Sequence, residues 1–567
     1  MYEQIFAPLD LYVNELKFAH EKNVRDYFSL LVEHANVDGV ENEKTVAAYD
    51  KQTAEIAKRE NSVKGKKKLR TFGIIATVLL FLALLVVWSS CIRSEAGKAA
   101  LIALSLGFSI FAICMICKKI NKLIANLSGE IRIYQEKADM LLHAAQAQTA
   151  SLNALFRDTD ALNLATKTLP CLSFDKLFTK SRLMELANGY DYFIRSSLDE
   201  CMVDVLSGEL FGNPFLYESC RIHTLGTHTY HGSLTIHWTT RERDSQGNMV
   251  TRSHSQTLHA SVTRPCPYYD VSTKLHYGHD AAPELCFSRT GKHAEDKSEA
   301  ALRRTIKSGE KRLQRLTEKS LKEGGNFTEM LNTEFEVLFG ATNRNDELQF
   351  RYIFSPNAQE EMLKLLLWSD GYGDDFDFRK YKKCNTIWSE HTQANGISTP
   401  AWRYYSHSLA LIKKKFYDFN NEFFKSVYFD FAPLLTISSY QQPLVRNAPM
   451  QDGELTAYNF ELLAARLEGL SPYNAQTQVI YKTSLIKKEG EEYVVDVTAY
   501  AYTTEERVHY ESVHGDDGCW HNMPVYWIEY IPLRKHSVML VVPQKEGEEP
   551  NFQKPHITYR GMHACIL

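Results

Sequence analysis

The chain lacks the sequence signatures of several large enzyme classes. It has no P-loop, no G-x-S-x-G nucleophile elbow, no dinucleotide-binding G-x-G-x-x-G and no protein-kinase motif set. Its formal net charge is only −4, which gives no electrostatic case for binding nucleic acid. It also has no low-complexity tract, and 44% of its residues are hydrophobic. We therefore expect a folded protein without a nucleic-acid partner.

The cysteines lack the pattern of a disulfide framework or a zinc ribbon. Three of the eleven lie in or beside the apolar N-terminal runs, and the other eight are scattered without a C-x-x-C pair. Single scattered cysteines in a large chain are typical of reduced thiols that pack in the core. For Cys220 and Cys266, which lie among histidines, a catalytic role is the alternative to packing.

Charge is also absent from two long apolar runs, residues 71–92 and 99–117, which only six residues separate. Each run is long enough to cross the hydrocarbon core of a bilayer as a helix, which takes about 20 residues. So short a connection predicts an antiparallel membrane hairpin, with the lipid bilayer as a partner. Because neither run contains an ionisable acidic or basic residue, we do not expect this hairpin alone to form a transporter or proton channel.

The basic residues flanking the hairpin predict its orientation. Lys64, Lys66–Lys68 and Arg70 precede the first run, and Lys118, Lys119 and Lys122 follow the second. The connection holds only Arg93 and Lys98, with Glu95 between them. Basic residues concentrate on the cytoplasmic side of a membrane. The expected location is therefore the cytoplasmic membrane, as a multi-pass protein with both termini in the cytoplasm.

Long helices are predicted on both sides of the hairpin. Apolar spacing indicates a helix over residues 9–35, a break at Asn36–Gly39, and a polar helix over 43–70. After the hairpin, apolar residues alternate steps of four and three from Ile120 to Leu155, which is the heptad pattern of a coiled coil. We expect a stalk that ends near Pro170, and the stalk and hairpin together could mediate self-association or contact with a protein partner. A single amphipathic helix on a globular domain is the alternative.

The remaining chain has a mixed pattern, so the predicted fold class is α+β: a transmembrane helical hairpin with a coiled-coil stalk, followed by cytoplasmic domains of antiparallel sheet and helices. The predicted ranges are 1–70 for the N-terminal helices, 71–117 for the hairpin, 118–168 for the stalk, 169–325 for a His-rich α+β region, 326–445 for an α+β domain, and 446–567 for a β-rich region, with a boundary at residues 443–449.

Local signals predict individual elements within these ranges. Helices are expected over residues 173–207, 297–322, 356–368, 406–424 and 455–470, and strands over 217–264, 335–339, 347–354 and 478–542. The turn residues Asp244–Asn248 and Lys488–Glu491 should each connect two antiparallel strands. Gly324-Gly325 should end one helix, and Ser355-Pro356 should begin another.

Histidine is concentrated in one region, where nine of the twenty lie between His223 and His293. If Leu234, Ile236 and Trp238 face the core, His237 and His259 fall on the opposite face, roughly as diagonal neighbours. They are therefore the candidate metal ligands, since neutral imidazole binds zinc and similar ions. The alternative is that they are solvent-facing strand residues. The sequence does not identify a cofactor.

Two further motifs are interpreted as turns. His276-Tyr-Gly-His-Asp280 contains the His-Asp step of metal phosphohydrolases, and Gly371–Asp377 groups three carboxylates. Neither has the ligand spacing of a metal site, so turns are the expected structures. The tyrosines and tryptophans from Tyr493 to Tyr530 could line a recognition surface, although aromatic residues on strands usually cover a sheet.

Five segments resemble sequences of uncharacterised bacterial membrane proteins: Asn213-Pro-Phe, Thr229-Tyr-His-Gly-Ser-Leu-Thr-Ile, Phe335-Glu-Val-Leu-Phe339, Gln349-Phe-Arg-Tyr-Ile-Phe-Ser-Pro356 and Tyr428-Phe-Asp-Phe-Ala-Pro-Leu-Leu435. Those proteins also have two N-terminal spans and are similar to the DUF3137 family, a domain of unknown function. Residues 335–365 carry most of the likeness, as strand, loop, strand ending in Ser-Pro, then helix. The resemblance implies a bacterial cytoplasmic membrane and assigns no activity.

These observations favour a membrane-tethered cytoplasmic protein that is not an enzyme and acts as a binding or scaffold protein for a protein or envelope component. The alternative is a membrane-anchored hydrolase, with or without a metal, that uses the His-rich region. No complete catalytic set supports it, and no catalytic residue can be named from the sequence.

Overall fold

A computed structural model describes residues 4–91, 95–195, 197–243, 245–444, 453–544 and 555–567. Arg93, Asp244 and most of the predicted boundary at 443–449 lie outside the described residues. The chain divides into two compact units. One consists of Met1–Val24, Arg157–Pro400 and Phe419–Leu567, and the other of Arg25–Phe156 and Ala401–Asp418. We call them the α+β unit and the helical unit.

The elements alternate between long helices, short helices and antiparallel strands. In chain order they are α1 (Pro8–Leu11), a π-helical turn (Tyr12–Leu16), α2 (Lys17–Ala35), α3 (Gly39–Cys91), α4 (Glu95–Leu155), α5 (Asp160–Thr168), β1 (Leu172–Phe174), α6 (Lys180–Gly189), β2 (Glu200–Leu210), β3 (Asn213–Arg243), β4 (Met249–Gly278), β5 (Cys286–Arg289), α7 (Glu299–Glu323), α8 (Thr333–Phe339), α9 (Glu347–Ile353), α10 (Pro356–Leu366), β6 (Phe376–Tyr381), β7 (Cys384–Ser389), α11 (Glu390–Asn395), a 3-10 turn (Ala401–Tyr404), α12 (Leu409–Leu435), a second 3-10 turn (Ser438–Gln441), α13 (Ala457–Arg466), β8 (Ile480–Glu489), β9 (Glu492–His514), β10 (Trp520–Pro543), β11 (His556–Tyr559) and β12 (Met562–Ile566).

The helical unit is built on α3 and α4, which lie side by side and antiparallel. At one end the Gln148 amide donates to Thr45 Oγ1 at 3.1 Å, and farther along Arg70 donates to Asn121 Oδ1 at 2.8 Å. The residues of α4 at the predicted heptad positions are its buried and half-buried ones, whereas most of their neighbours on that helix are exposed. The predicted apolar face of α4 is therefore confirmed.

Both long helices contain a segment that is long and apolar enough to cross a membrane. In the most apolar stretch of each, 0% of the residues on α3 and 6% of those on α4 are buried. Large apolar side chains such as Phe72, Leu80, Leu104 and Phe108 are more than half exposed. Such a band is unfavourable in water, at about 25 cal/mol for each Å² of apolar surface.

The α+β unit contains two antiparallel sheets, so the predicted mixed fold class is confirmed at this level. The larger sheet has the strand order β1-β2-β3-β4-β7-β6-β5, and the smaller has the order β11-β12-β10-β9-β8. On one face of the larger sheet, Tyr277, Phe378 and Ile387 are buried in the main core, together with residues of α12 such as Tyr428 and Phe431.

Two strand pairs extend beyond the sheets and pack on each other. The distal parts of β3 and β4 form one, and the distal parts of β9 and β10 form the other. Ile236, Leu258 and Met523 make a small core between them. At Gly232 the approach is so close that a Cβ atom would lie 2.7 Å from the Pro524 carbonyl oxygen. The predicted alternation of buried and exposed residues on β3 is confirmed.

The predicted strands at 335–339 and 347–354 are wrong, because both segments are helices, α8 and α9. Asn332 and Asp346 accept hydrogen bonds from the first turns of these helices and so act as N-caps. The last five residues of α8, Glu336 among them, are all buried, so this segment has no alternation of buried and exposed residues that would distinguish a strand. The Ser355 cap and the Gly324 left-handed end are confirmed.

The helix predicted over residues 173–207 is also wrong for most of its length. Among the described residues of this range, only α6 (Lys180–Gly189) is helical, between the strands β1 and β2. The run Glu200–Leu210 pairs with β3 along its whole length. Cross-strand pairing therefore overrides the local helix signal of this segment. The turn at Gly490 between β8 and β9 is as predicted.

Candidate ligand-binding cleft

A cleft of about 1290 Å³ lies over the face of the larger sheet opposite the main core. Its floor consists of every second residue of the central strands: Glu218 and Ile222 of β3, Asp270, Ser272, Lys274 and His276 of β4, Cys384, Thr386 and Trp388 of β7, and Asp377, Arg379 and Tyr381 of β6. The chain after α6, which includes Tyr192, Phe193 and Arg195, forms a wall. Because successive side chains of a strand point to opposite faces, one sheet presents an apolar face to the core and a polar face to the cleft.

Glu218 and His276 form a buried charge pair in this floor. Glu218 Oε1 lies 3.0 Å from His276 Nε2, and both side chains are at least nine-tenths buried. The other ring nitrogen, His276 Nδ1, lies 3.0 Å from the Thr386 hydroxyl. A buried carboxylate needs charged or hydrogen-bonding partners, and His276 supplies one of them.

The environment keeps both members of this pair charged. Burial alone lowers the pKa of His276, but the charge of Glu218 outweighs burial and raises that pKa to about 9. Burial alone raises the pKa of Glu218, but the charges of His276 and Arg195 outweigh it and hold that pKa well below its usual range. At neutral pH the pair is therefore an imidazolium and a carboxylate.

The wall of the cleft supplies the remaining partners of Glu218. Arg195 Nε lies 2.9 Å from Glu218 Oε1, and the Tyr192 hydroxyl donates to Glu218 Oε2 at 2.8 Å. Burial and the charge of Glu218 raise the pKa of Tyr192, so its hydroxyl stays protonated. Arg195 also donates to Glu200 Oε2 at 2.8 Å. Glu218 is thus paired with two cationic groups, His276 and Arg195, and accepts a hydrogen bond from one hydroxyl.

Two cations of the cleft floor have no such partners. Among the residues that the structure describes, neither the Lys274 ammonium group nor the Arg379 guanidinium group makes a hydrogen bond or an ion pair. Lys274 is half-buried and lies directly across the strand ladder from Glu218. Burial and the neighbouring Arg195 charge lower the pKa of Lys274, as expected for a cation without a contacting anion.

The structure does not bring the two predicted metal ligands together. His237 pairs with Ser255 and His259 pairs with Ser233, so four residues of the ladder separate the two histidines, a distance of about 13 Å. Both side chains are exposed on the outer face of the β3–β4 extension. The expectation that they are diagonal neighbours is therefore wrong, because the register pairs each with a serine.

A group of possible metal ligands that the sequence reading missed lies elsewhere. His293, Glu295 and Asp296 have ligand atoms within 4.8 Å of one another. His293 Nε2 also lies 3.2 Å from Glu390 Oε1. The His-x-Glu-Asp spacing was the available signal, but it lies in a charged stretch where such spacings are common.

The two motifs interpreted as turns contain buried structural charges. In 371–377, Asp374 forms a fully buried ion pair with Arg289, and Asp375 Oδ2 lies 2.6 Å from His391 Nδ1. In 276–280, His276 lies in β4 and belongs to the cleft, so a turn is wrong for that residue. These side chains pair with residues that are distant in the sequence, and such pairing rather than turn formation explains their positions.

The cysteines named as catalytic alternatives, Cys220 and Cys266, are both buried. Burial raises the pKa of the Cys220 thiol, which disfavours the thiolate form that a nucleophilic cysteine needs. Cys384 lines the cleft floor beside His276, and the sequence alone indicated no role for it.

No family model, curated protein or solved structure matches the chain, so the resemblance to the DUF3137 family stays a prediction.

Proposed function

We propose that this chain is a membrane-tethered binding protein that is not an enzyme. Its α3–α4 pair crosses the cytoplasmic membrane twice as a hairpin, and its α+β unit binds a ligand in the cleft on the cytoplasmic side. The parts of α3 and α4 next to the spans form a coiled-coil stalk. The resemblance to DUF3137 proteins, which implies a bacterial membrane, is consistent with this proposal.

The exposed apolar band on α3 and α4 is the observation that carries the tether. About 20 apolar residues in each helix match the thickness of a bilayer, and the described side chains of these stretches have almost no cover from the chain itself. Basic residues lie at the polar ends of both segments, which favours a cytoplasmic location for the termini.

Glu218 already has its partners within the protein, and this favours ligand binding over proton-transfer chemistry as the function of the cleft. This carboxylate is buried and held by His276, Arg195 and Tyr192, so neither it nor His276 resembles a general base awaiting a substrate proton. The floor nevertheless leaves a large space with polar and aromatic lining, which is the usual character of a ligand site.

A metal-dependent hydrolase is the second candidate function, but different residues now support it. His237 and His259 no longer support it, because their register separates them. The observation in its favour is the group His293, Glu295 and Asp296. Exposed His and carboxylate groups also occur at this density without a metal, so binding is the function that the geometry supports better.

Two measurements on the full chain test the proposal. First, the protein should remain in membranes after washing with alkaline carbonate, and release into the supernatant would contradict the tether. Second, native mass spectrometry of protein purified from cells should show a small-molecule adduct. Ser272→Trp, which fills the cleft floor, should remove the adduct, whereas Ser255→Trp on the exposed face of β4 should retain it. An adduct that is equal in both variants would contradict binding in the cleft.

A further inference from the structure

We propose that the cleft binds an organic anion through its phosphate or carboxylate group, held between Lys274 and Arg379 beside Thr386. This inference rests on the proposed binding function and names the ligand class. The strand register places these side chains together although they are far apart in the sequence.

The register puts Arg379, Thr386 and His276 in one row across three neighbouring strands. Arg379 pairs with Thr386, and Thr386 pairs with His276. Lys274 lies two residues from His276 on the same strand and hence on the same face. Diagonal neighbours in a sheet are about 7–8 Å apart, within reach of long side chains. Two cations therefore flank one hydroxyl group.

Thr386 is oriented as a donor toward the cleft. Because His276 is protonated by its pairing with Glu218, His276 Nδ1 carries hydrogen and donates to Thr386 Oγ1 across 3.0 Å. The hydroxyl hydrogen of Thr386 is then free to point to a ligand oxygen. An anion at this position receives three donors, from Lys274, Arg379 and Thr386, of which two are charged.

Two carboxylates that line the cleft near this position, Glu218 and Asp377, already have partners within the protein. Glu218 is matched by His276 and Arg195, and Asp377 Oδ1 accepts the Gly291 N–H at 3.0 Å. Trp388, which neighbours Thr386 on the same face of β7, offers an apolar surface for the rest of the ligand. The arrangement fits a phosphate or carboxylate group attached to an organic body.

Such a phosphate can belong to a soluble metabolite or to a lipid headgroup, and titration separates these sources. The full chain is reconstituted in phosphatidylcholine nanodiscs and titrated calorimetrically with inorganic phosphate, glycerol phosphate, citrate and short-chain phosphatidate. We expect one site per chain for at least one probe. Preference for phosphatidate over glycerol phosphate would identify a lipid source, and the reverse a soluble one.

Substitutions connect that binding to the named residues. Lys274→Gln and Arg379→Gln should each weaken binding by about 10- to 100-fold, since each removes a charge-assisted hydrogen bond. Thr386→Val should weaken it less. Arg303→Gln on the exposed surface of α7 removes the same charge and should leave affinity unchanged. Equal thermal unfolding midpoints without ligand show that the variants are folded.

Two results would overturn the inference: saturable binding of no probe, or equal affinity in the parent, Lys274→Gln and Arg379→Gln proteins. If the cleft adduct lost in Ser272→Trp is then a neutral or cationic molecule, only the ligand class is wrong. If that adduct is absent as well, the proposed binding function fails with it.

Discussion

Glu218 and His276 lie diagonally across the ladder between β3 and β4, and their charged atoms are 3.0 Å apart in the floor of the cleft. This pair divides the polar face of the sheet into two parts. Toward the wall, Arg195 and Tyr192 complete the coordination of the carboxylate. Toward β6 and β7, the protonated imidazole directs Thr386 and leaves Lys274 and Arg379 without contacting anions.

Replacing Glu218 by Gln should destabilise the protein by about 3–5 kcal/mol, because it leaves the buried His276 cation without its carboxylate. Denaturant unfolding of the full chain in detergent, followed by tryptophan fluorescence, measures this change. Glu200→Gln is the matched control, since Glu200 pairs with the same Arg195 but is only half-buried. It should cost about 1 kcal/mol or less. Equal costs for the two variants would contradict the structural role of the pair.

The stability of the α+β unit should fall in alkaline solution because His391, like His276, has a raised pKa. Burial alone lowers the pKa of His391, but Asp430 and Asp375 outweigh it and raise that pKa to about 9. The stabilisation is therefore complete below pH 6.5 and is lost as pH rises from 6.5 to about 9. The full effect is about 3 kcal/mol for a shift of this size.

Thermal unfolding midpoints between pH 6 and pH 10 check this prediction. His391→Gln should have a lower midpoint at pH 6 and a smaller decline toward pH 9 than the parent chain. His237→Gln, which changes an exposed histidine, should keep the parental decline. A parental slope in His391→Gln would show that another group causes the alkaline loss.

Gly232→Ala should separate the two strand extensions. The added Cβ would lie 2.7 Å from the Pro524 carbonyl oxygen and 3.4 Å from Val525 Cα, which are backbone atoms that cannot rotate away. Hydrogen exchange should show lost protection in β10 around Met523, with the rest of β9 and β10 changed less. Gly129→Ala is the control, because no atom lies within 4 Å of its added Cβ. Unchanged exchange at Met523 would contradict this packing.

Metal content should not depend on His237 and His259. One ion cannot bind both imidazoles across about 13 Å, since metal–nitrogen distances are about 2 Å. Elemental mass spectrometry should give the same metal content for the parent, for the His237→Ala/His259→Ala variant and for a control with His228→Ala/His231→Ala. Loss of one equivalent in the first variant alone would restore the original metal hypothesis.

Local patterns in the sequence predicted the features that depend on near neighbours. The alternation Leu234, Ile236, Trp238 identified the inward face of β3, and Ser355-Pro356 located the start of α10. The same reasoning failed at Phe335–Phe339, because a short apolar run has no period that separates a buried strand from a buried helix. In this segment the Asn332 N-cap and the burial of successive residues favour a helix.

The cleft could not be predicted, because it depends on pairing between distant strands. Glu218 and His276 are 58 residues apart, and Thr386 is a further 110 residues along the chain. Their meeting requires the register of long strands and the insertion of β4 beside β7. His237 and His259 show the same limit: the correct face was predicted, but their separation follows from the register.

The most direct test of the account is the sidedness of two cysteines in the membrane-bound protein. Intact cells carrying the Glu41→Cys variant are treated with an impermeant maleimide, and membranes are then washed with alkaline carbonate. Peptide mass spectrometry measures labelling at residue 41 and at the exposed Cys519. If α3 and α4 cross the membrane with both termini in the cytoplasm, the protein stays in the washed membranes and both sites are labelled only after permeabilisation. Labelling of either site in intact cells, or loss of the protein from the membranes, would contradict it.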